Sequence, residues 1–546
     1  MVIYPESFSV KPNTEATESF RNLFRTAAAM VARKNLTLPS GSYVFRSKNA
    51  TEFRAVMSDC SAELPLGEPI DRHRAAVVME GVSDMEIDCA SSRFLTEGRM
   101  TALALLNCHR ITIKNLTIET VRPDLHKFTV LKASPFTVNF KLDSVSTYET
   151  EGETCYFTGP DYRTAFTEGE ADGSFLVTAR PDNLSHLVRC EGHPFSGLAS
   201  FRETAERVFT ARFISPKDYV EGQVFYLYPP ARAEVGVFLD SCSNVRFENL
   251  RVVCGGAHAF LAQNSADVTL IKPDFRPAQG SEIDFSTPGD FAHFSMCRGA
   301  IVIRDGSFNA CGGDACSVHG FYYKIKSAIR STVTVQFTGP LNACPDALHR
   351  GDTVAFLDRD SLCELGRATL LEVRRLDARG YELVLSSPGI PSGARLIENV
   401  SAAPRFDFTG NVLNRIGAHG LRLMTRGRVR VDNNRFLNTG ASGVQIAGDA
   451  DATCEGGSVT DVTISGNAFV RCGASCVHVC PSVRSYAGPV HGGLTLNANL
   501  FMLAGTNALR VSCATGVTMA RNVYKGRAEN NRIVFSRNTD GLVTDF

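Results

Sequence analysis

A short phrase recurs along this chain: alternating apolar residues, then Asn, Asp or Gly, then another apolar residue. It reads DMEIDC at 84–89, RITIKNLTI at 110–118, NVRFENLRV at 244–252, DVTLIKPDF at 267–275 and AIVIRDGSF at 300–308. It returns as FDFTGNVLN at 406–414, RVRVDNNRF at 428–436, DVTISGNAF at 461–469, GLTLNANLF at 493–501 and GVTMARNVY at 516–524. Alternation with a period of two marks a strand. A phrase that comes back every ~22–33 residues marks a repeat architecture. The copies carry no leucine consensus and leave no room for helices, which excludes leucine-rich and helical repeats. Strands with Asn and Gly at their corners fit a parallel β-helix, each copy a rung stacked about 4.8 Å above the last.

A second series of strands lies between the phrases: HAFLAQ at 258–263, AHFSMC at 292–297, ACSVHG at 315–320, HGLRLM at 419–424, SGVQIA at 442–447, CVHVC at 476–480 and ALRVSC at 508–513. Successive members of this column are expected to neighbour one another across a sheet. Ahead of the repeats, Phe20, Leu23, Phe24, Ala28 and Val31 recur at helical spacing and predict an amphipathic helix over 18–34. Such a helix suits the open end of a solenoid, whose terminal rung needs a polar cap. The rhythm breaks twice, over 123–232 and 322–403, where alternating strands sit among Gly-rich turns. Both breaks predict small antiparallel β-barrels inserted between rungs. The expected order is an N-terminal cap (1–46), first rungs (47–122), barrel 1 (123–232), central rungs (233–321), barrel 2 (322–403) and C-terminal rungs (404–546). The fold class is all-β.

Composition narrows the partners. Over 546 residues the formal net charge is zero and the charged fraction 21%, so no basic bias draws the chain to nucleic acid or an anionic membrane. No apolar run is long enough for a membrane span. The first residues lack a basic segment followed by an apolar core and a cleavage site, so the expected location is cytoplasmic, or exported if the chain has been trimmed. The 17 cysteines are scattered singly through strand contexts, which fits buried reduced thiols. Cys476, His478 and Cys480 share one face of an alternating strand near Cys472, yet match no paired-ligand zinc spacing. No metal or cofactor is expected. Trp is absent while Phe reaches 35, so any sugar-stacking surface has to be Phe or Tyr.

The candidate chemistry sits between 287 and 323. Asp290 precedes the column strand at 292–297, and Asp314 precedes the next one at 315–320, with His319 inside it. One turn of coil separates the two acids, so their side chains are expected to share one region. Two such carboxylates are what glycosidic cleavage needs, one protonated to donate to the leaving oxygen and one ionised. Proximity itself favours that split. Asp before a strand is also a common turn former.

Residues 289–323 resemble the core of glycoside hydrolase family 110, exo-acting α-1,3-galactosidases built on a right-handed β-helix with inserted barrels. The matching residues are Asp290, His293 and Phe294, then Cys297-Arg298-Gly299, then Gly313-Asp314-Ala315 and Val318-His319-Gly320. The phrase at 351–358 and the loop Gly448-Asp449-Ala450 with Glu455 extend the similarity, as do Gly98-Arg99-Met100 and Arg122-Pro123. The resemblance implies inverting hydrolysis of a terminal α-galactose without a cofactor. Asp290 and Asp314 would share the acid and base roles, and His293, His319, Asp449 and Glu455 would contact or position the sugar. The family's paired Asp-Asp is here Gly313-Asp314, and its aromatic pair after the Gly-Asp-Ala turn is Ala452-Thr453. These departures keep two alternatives open, an inactive glycan-binding relative and a β-helix enzyme acting on another polysaccharide.

Overall fold

The computed structural model describes residues 1–60, 71–152, 154–166, 176–180, 183–190, 194–228, 234–339, 344, 346–377 and 379–546. Each recurring phrase forms two strands joined at a corner, and the intervening column supplies a third, so the coil has three parallel sheets. In the first sheet Val245 pairs in register with Ile111 on one side and Val268 on the other. In the second, Phe308 pairs with Phe275 and Leu413. In the third, Ala292 pairs with Phe260 and Cys316, and Cys316 with Leu421. The corners use the left-handed backbone that Asn tolerates, at Asn115, Asn249 and Asn433 among others.

Alternation decides what lies inside. Every second residue of each rung packs into one continuous apolar core along the coil. Phe436, Phe469, Phe501 and Tyr524 stack with ring centroids 4.8, 5.2 and 5.6 Å apart, one ring per rung. Beside them runs a buried amide ladder. Asn434 Oδ1 accepts from the Asn411 backbone N–H at 2.8 Å, and Asn467 and Asn499 repeat the bond one rung further on. These side chains satisfy the corner amides that would otherwise be buried without partners.

The capping helix runs Thr17–Ala28 and buries Phe20, Leu23, Phe24 and Ala27 against the first rung. It is shorter than the expected 18–34. Lys34 already starts a strand, Lys34–Thr37, so Val31 falls outside the helix and is 95% exposed. The buried Lys34 Nζ donates to the Met30 carbonyl at 2.7 Å, a cation at the end of the helix where free carbonyls favour one.

The two breaks in the repeat are β subdomains. In the second, six antiparallel strands close a ring: Cys316–Ile329 pairs with Thr332–Gln336 and with Leu396–Asn399. Gly380–Leu385, Glu364–Arg375 and Thr353–Leu357 complete the circuit. In the first, a seven-stranded antiparallel sheet and a three-stranded sheet enclose a Phe-rich core. Its edge strands, Asn183–Arg189 and Leu198–Ala205, are not paired with each other among the described residues. Alternation specifies strands and their buried faces, whereas ring closure depends on stagger between strands distant in sequence. Among the described residues no helix is long and apolar enough to cross a membrane. All 17 cysteines are free, and all but Cys190, Cys363 and Cys480 are buried. Cys476 turns into the core while His478 is half-buried on the outer face, because the strand begins only at Val477.

Candidate active site

The third sheet is buried on its outer face as well as its inner one. His293, Ser295, Ser317 and His319 all point away from the core yet are at most 2% exposed. Two segments cover them. The Gln263 side chain holds the first, accepting from Ser58 N–H and donating to the Val56 carbonyl, each at 2.9 Å. The second is Glu455–Gly456, which pairs antiparallel with Gly320 and Phe321.

The corner leading into this sheet carries one polar residue per rung, at the same register position: His258, Asp290, Asp314, His419 and Ser442. Each of the first four side chains accepts the backbone N–H of the next rung. Asp290 N–H donates to His258 Nδ1 at 2.9 Å, Asp314 N–H to Asp290 Oδ1 at 2.7 Å, and His419 N–H to Asp314 Oδ1 at 2.7 Å. Ser442 N–H then donates to His419 Nδ1 at 3.1 Å. The repeat thus brings Asp290 and Asp314 onto one ridge, and one oxygen of each carboxylate is spent on the ladder. Gly313 fits this arrangement through its lack of a side chain, since a Cβ there would meet Asp290 Oδ1 at 2.2 Å.

From Asp290 a second chain of hydrogen bonds crosses the sheet. Asp290 Oδ2 lies 2.8 Å from His293 Nδ1, His293 Nε2 lies 2.9 Å from His319 Nε2, and His319 Nδ1 faces the Gly320 carbonyl at 3.1 Å. A carbonyl only accepts, so His319 Nδ1 carries a proton. Burial pushes His319 down to about 4, so its ring is neutral and Nε2 accepts from His293. Burial is the largest influence on Asp290 and opposes its ionisation, but the His293 hydrogen bond and the fields of the neighbouring histidines together outweigh it and hold the carboxyl below its ordinary value. With Asp290 ionised, the proton between the two sits on His293. His258, whose Nδ1 is an acceptor, keeps its single ring proton on Nε2, 3.3 Å from Asp59 Oδ2. Asp59, His258, Asp290 and His293 bring ligand-type atoms within 4.8 Å of one another. His258, Asp290 and His293 hydrogen-bond to one another and to the corner amides, which accounts for the cluster as a hydrogen-bonded network.

The sequence-derived candidates separate here. Asp290, Asp314, His293, His319 and Glu455 come together. Glu455 is buried, pairs with Arg422, and places Oε1 3.8 Å from His319 Nε2. Arg422 is desolvated, yet the fields of Glu455, Asp314 and Asp290 hold its guanidinium charged. Asp449 bridges to Glu455 through the backbone, but its Oδ1 accepts from Asp451 and Ala452 N–H at 2.7 and 2.9 Å, the bonding of a turn former. Asp451 is paired with Arg359 and Arg484 at the surface. Sequence reading missed Arg422, His258, His419 and Asp59. The first three were findable, because Arg422 is in register with Ser317, and His258 and His419 hold the position that Asp290 and Asp314 hold in their own rungs.

No family model matches the chain. Alpha-1,3-galactosidase A of Bacteroides thetaiotaomicron is 24% identical over 500 residues, covering 90% of this chain and 86% of the relative. Alpha-1,3-galactosidase B of the same organism is 23% identical over 549 residues, covering 95% and 85%. Alpha-1,3-galactosidase A of Streptomyces avermitilis is 22% identical over 563 residues, covering 96% and 87%. Among solved structures, the family 28 exopolygalacturonase of Yersinia enterocolitica aligns with a TM-score of 0.43 at 8% identity, over 99% of this chain and 78% of that one. A carbohydrate substrate follows from these relatives. Over nine tenths of its length or more, the chain is thus similar to curated alpha-1,3-galactosidases, as a divergent relative of them.

Proposed function

We propose that this protein is a glycosidase that removes terminal α-1,3-linked galactose with inversion, using Asp290 and Asp314. The observation that carries the reading is the pair of buried carboxylates on consecutive rungs of one corner, each fixed by an amide of the next rung. The names of the relatives supply the sugar and the linkage.

The roles follow from the charge on Asp290, which makes it the base and leaves the acid role to Asp314. Asp290, kept ionised by His293, takes a proton from water as the water oxygen bonds to C1 of the galactose. The C1–O bond to the leaving sugar breaks in the same step, and Asp314 gives its proton to the leaving oxygen. One water is consumed, the anomeric configuration inverts, and proton exchange with solvent resets both carboxyls. His293 and His319 position Asp290 and hold its charge, and Arg422 with Glu455 sets the field on the opposite side.

Asn at either position keeps the Oδ1 acceptor of the corner ladder, so Asp290→Asn and Asp314→Asn test chemistry more than folding. Both should lower galactose release from an α-1,3-galactosyl disaccharide by roughly 10²–10⁴-fold, the usual contribution of a positioned acid or base. On an aryl α-galactoside with a good leaving group, Asp314→Asn should recover most of its rate and Asp290→Asn should not. Equal behaviour of the two variants on both substrates would reverse or remove the assignment.

A further inference from the structure

A partly open pocket adjoins the ridge. A cavity of about 140 Å³ lies between the first insert and the coil, with Met100, Leu125 and Pro288 on its apolar side and Arg99, Tyr162 and Glu234 among its polar groups. One water needs at least about 10–15 Å³ and takes about 30 Å³ of the liquid, so the space has room for several waters or for one sugar ring. Its floor belongs to the turns that hold the acids. Ala257, which lines the cavity, accepts from Gly289 N–H at 2.6 Å, and His258 beside it receives the amide of Asp290.

The polar groups are fixed unequally. Arg99 is tied down, with Nε 3.1 Å from Asp124 Oδ2, its backbone N–H 3.0 Å from Asp161 Oδ2, and its guanidinium 4.5 Å over the Tyr162 ring. Glu234 differs, making no side-chain hydrogen bond among the described residues. Burial raises its carboxyl to about 7, against the pull of Arg99 and Arg74 and with the help of Asp161 and Asp124. A carboxyl in that state can donate as well as accept, which suits a hydroxyl group. With Arg99 already neutralised by Asp124, the site does not call for a charged sugar. A mostly apolar lining with a few polar groups is the usual make-up of a small-ligand site.

The geometry points to this cavity as the subsite that receives an uncharged sugar ring of the substrate, with Glu234 recognising a hydroxyl of that ring. The inference rests on the glycosidase reading for its ligand class and adds to it the residues that bind.

Binding of methyl α-galactoside is measured by calorimetry in the Asp314→Asn background, so that turnover does not intrude. The sugar should bind there; adding Glu234→Ala should weaken it at least tenfold, while Glu234→Gln, which still donates and accepts, should stay within about threefold. Unchanged affinity in Glu234→Ala, or no binding by the parent, overturns the subsite even if wild-type protein hydrolyses the substrate. Loss of binding in Glu234→Ala from a protein that never hydrolyses would keep the subsite and sink the hydrolase reading instead. Hydrogen exchange on wild-type protein needs no variant: added sugar should protect 98–100 and 254–257, and protection confined to other segments refutes the placement.

Discussion

Replacing Gly313 with Ala puts a Cβ 2.2 Å from Asp290 Oδ1, 2.6 Å from the Gly289 carbonyl carbon and 2.8 Å from Asp290 N. Two of these three atoms are backbone, so a side-chain rotation cannot clear the clash. Gly313 is not among the glycines with left-handed backbone, so the effect is one of space and not of backbone strain. Overpacking of this kind costs about 1–3 kcal/mol. Driving Asp290 away also breaks its bond with the Asp314 amide, a hydrogen bond to a charged group, for about 1.5–3 kcal/mol more. The sum of about 2.5–6 kcal/mol should show as a lower thermal midpoint and as a fall of at least tenfold in galactose release, because the displaced carboxylate is the proposed base. Gly313→Asp should do the same, although it restores the acid that the family carries there. Gly389→Ala, which has nothing within 4 Å, is the matched control and should change neither quantity. Wild-type melting and turnover in Gly313→Ala would refute the reasoning, since Asp290 could not then lie where the ladder puts it.

Three further perturbations test the surroundings. Arg422→Met should leave Glu455 buried without its cation and cost about 3–5 kcal/mol in denaturant melts, and adding Glu455→Gln should recover part of that; no recovery would mean that the pair is not coupled. Asn467→Ala removes bonds to Asn434 N–H, Asn499 Oδ1 and the Val431 carbonyl and should destabilise by about 2–4 kcal/mol, so a neutral result would contradict the amide ladder. Burial lowers His319 to about 4 and His491 to about 3, below the ordinary value near 6.5, so the stability they contribute is present above 6.5 and lost as pH falls through their folded values. The thermal midpoint should therefore drop between pH 6.5 and 4, less steeply in His491→Gln; an unchanged slope in that variant would refute the share given to His491.

The rungs were legible because strand alternation and corner residues repeat, and repetition turns sequence spacing into position. Asp290 and Asp314 could be placed together for that reason alone, each two residues ahead of strands that pair in register. Features outside the repeat were harder to read. The helix end moved because Lys34 is claimed by the first sheet, which periodicity alone does not reveal. Asp449 and Glu455 looked alike in sequence, and only folding shows one carboxylate spent on its own turn and the other buried against Arg422. Glu234 and Asp59 reach the site from segments flanking the inserts and rungs, where no repeat register exists to locate them. The role of Gly313 also needed coordinates, since the meaning of a missing side chain lies in what occupies its space.

The most direct test of the two-carboxylate account is the anomeric form of the first product. Proton NMR during cleavage of an α-1,3-galactosyl disaccharide should show β-galactose appearing before mutarotation, with release abolished in Asp290→Asn and Asp314→Asn. α-Galactose as the first product would contradict inversion and the water-activating role of Asp290, and undiminished release in either variant would contradict the pair itself.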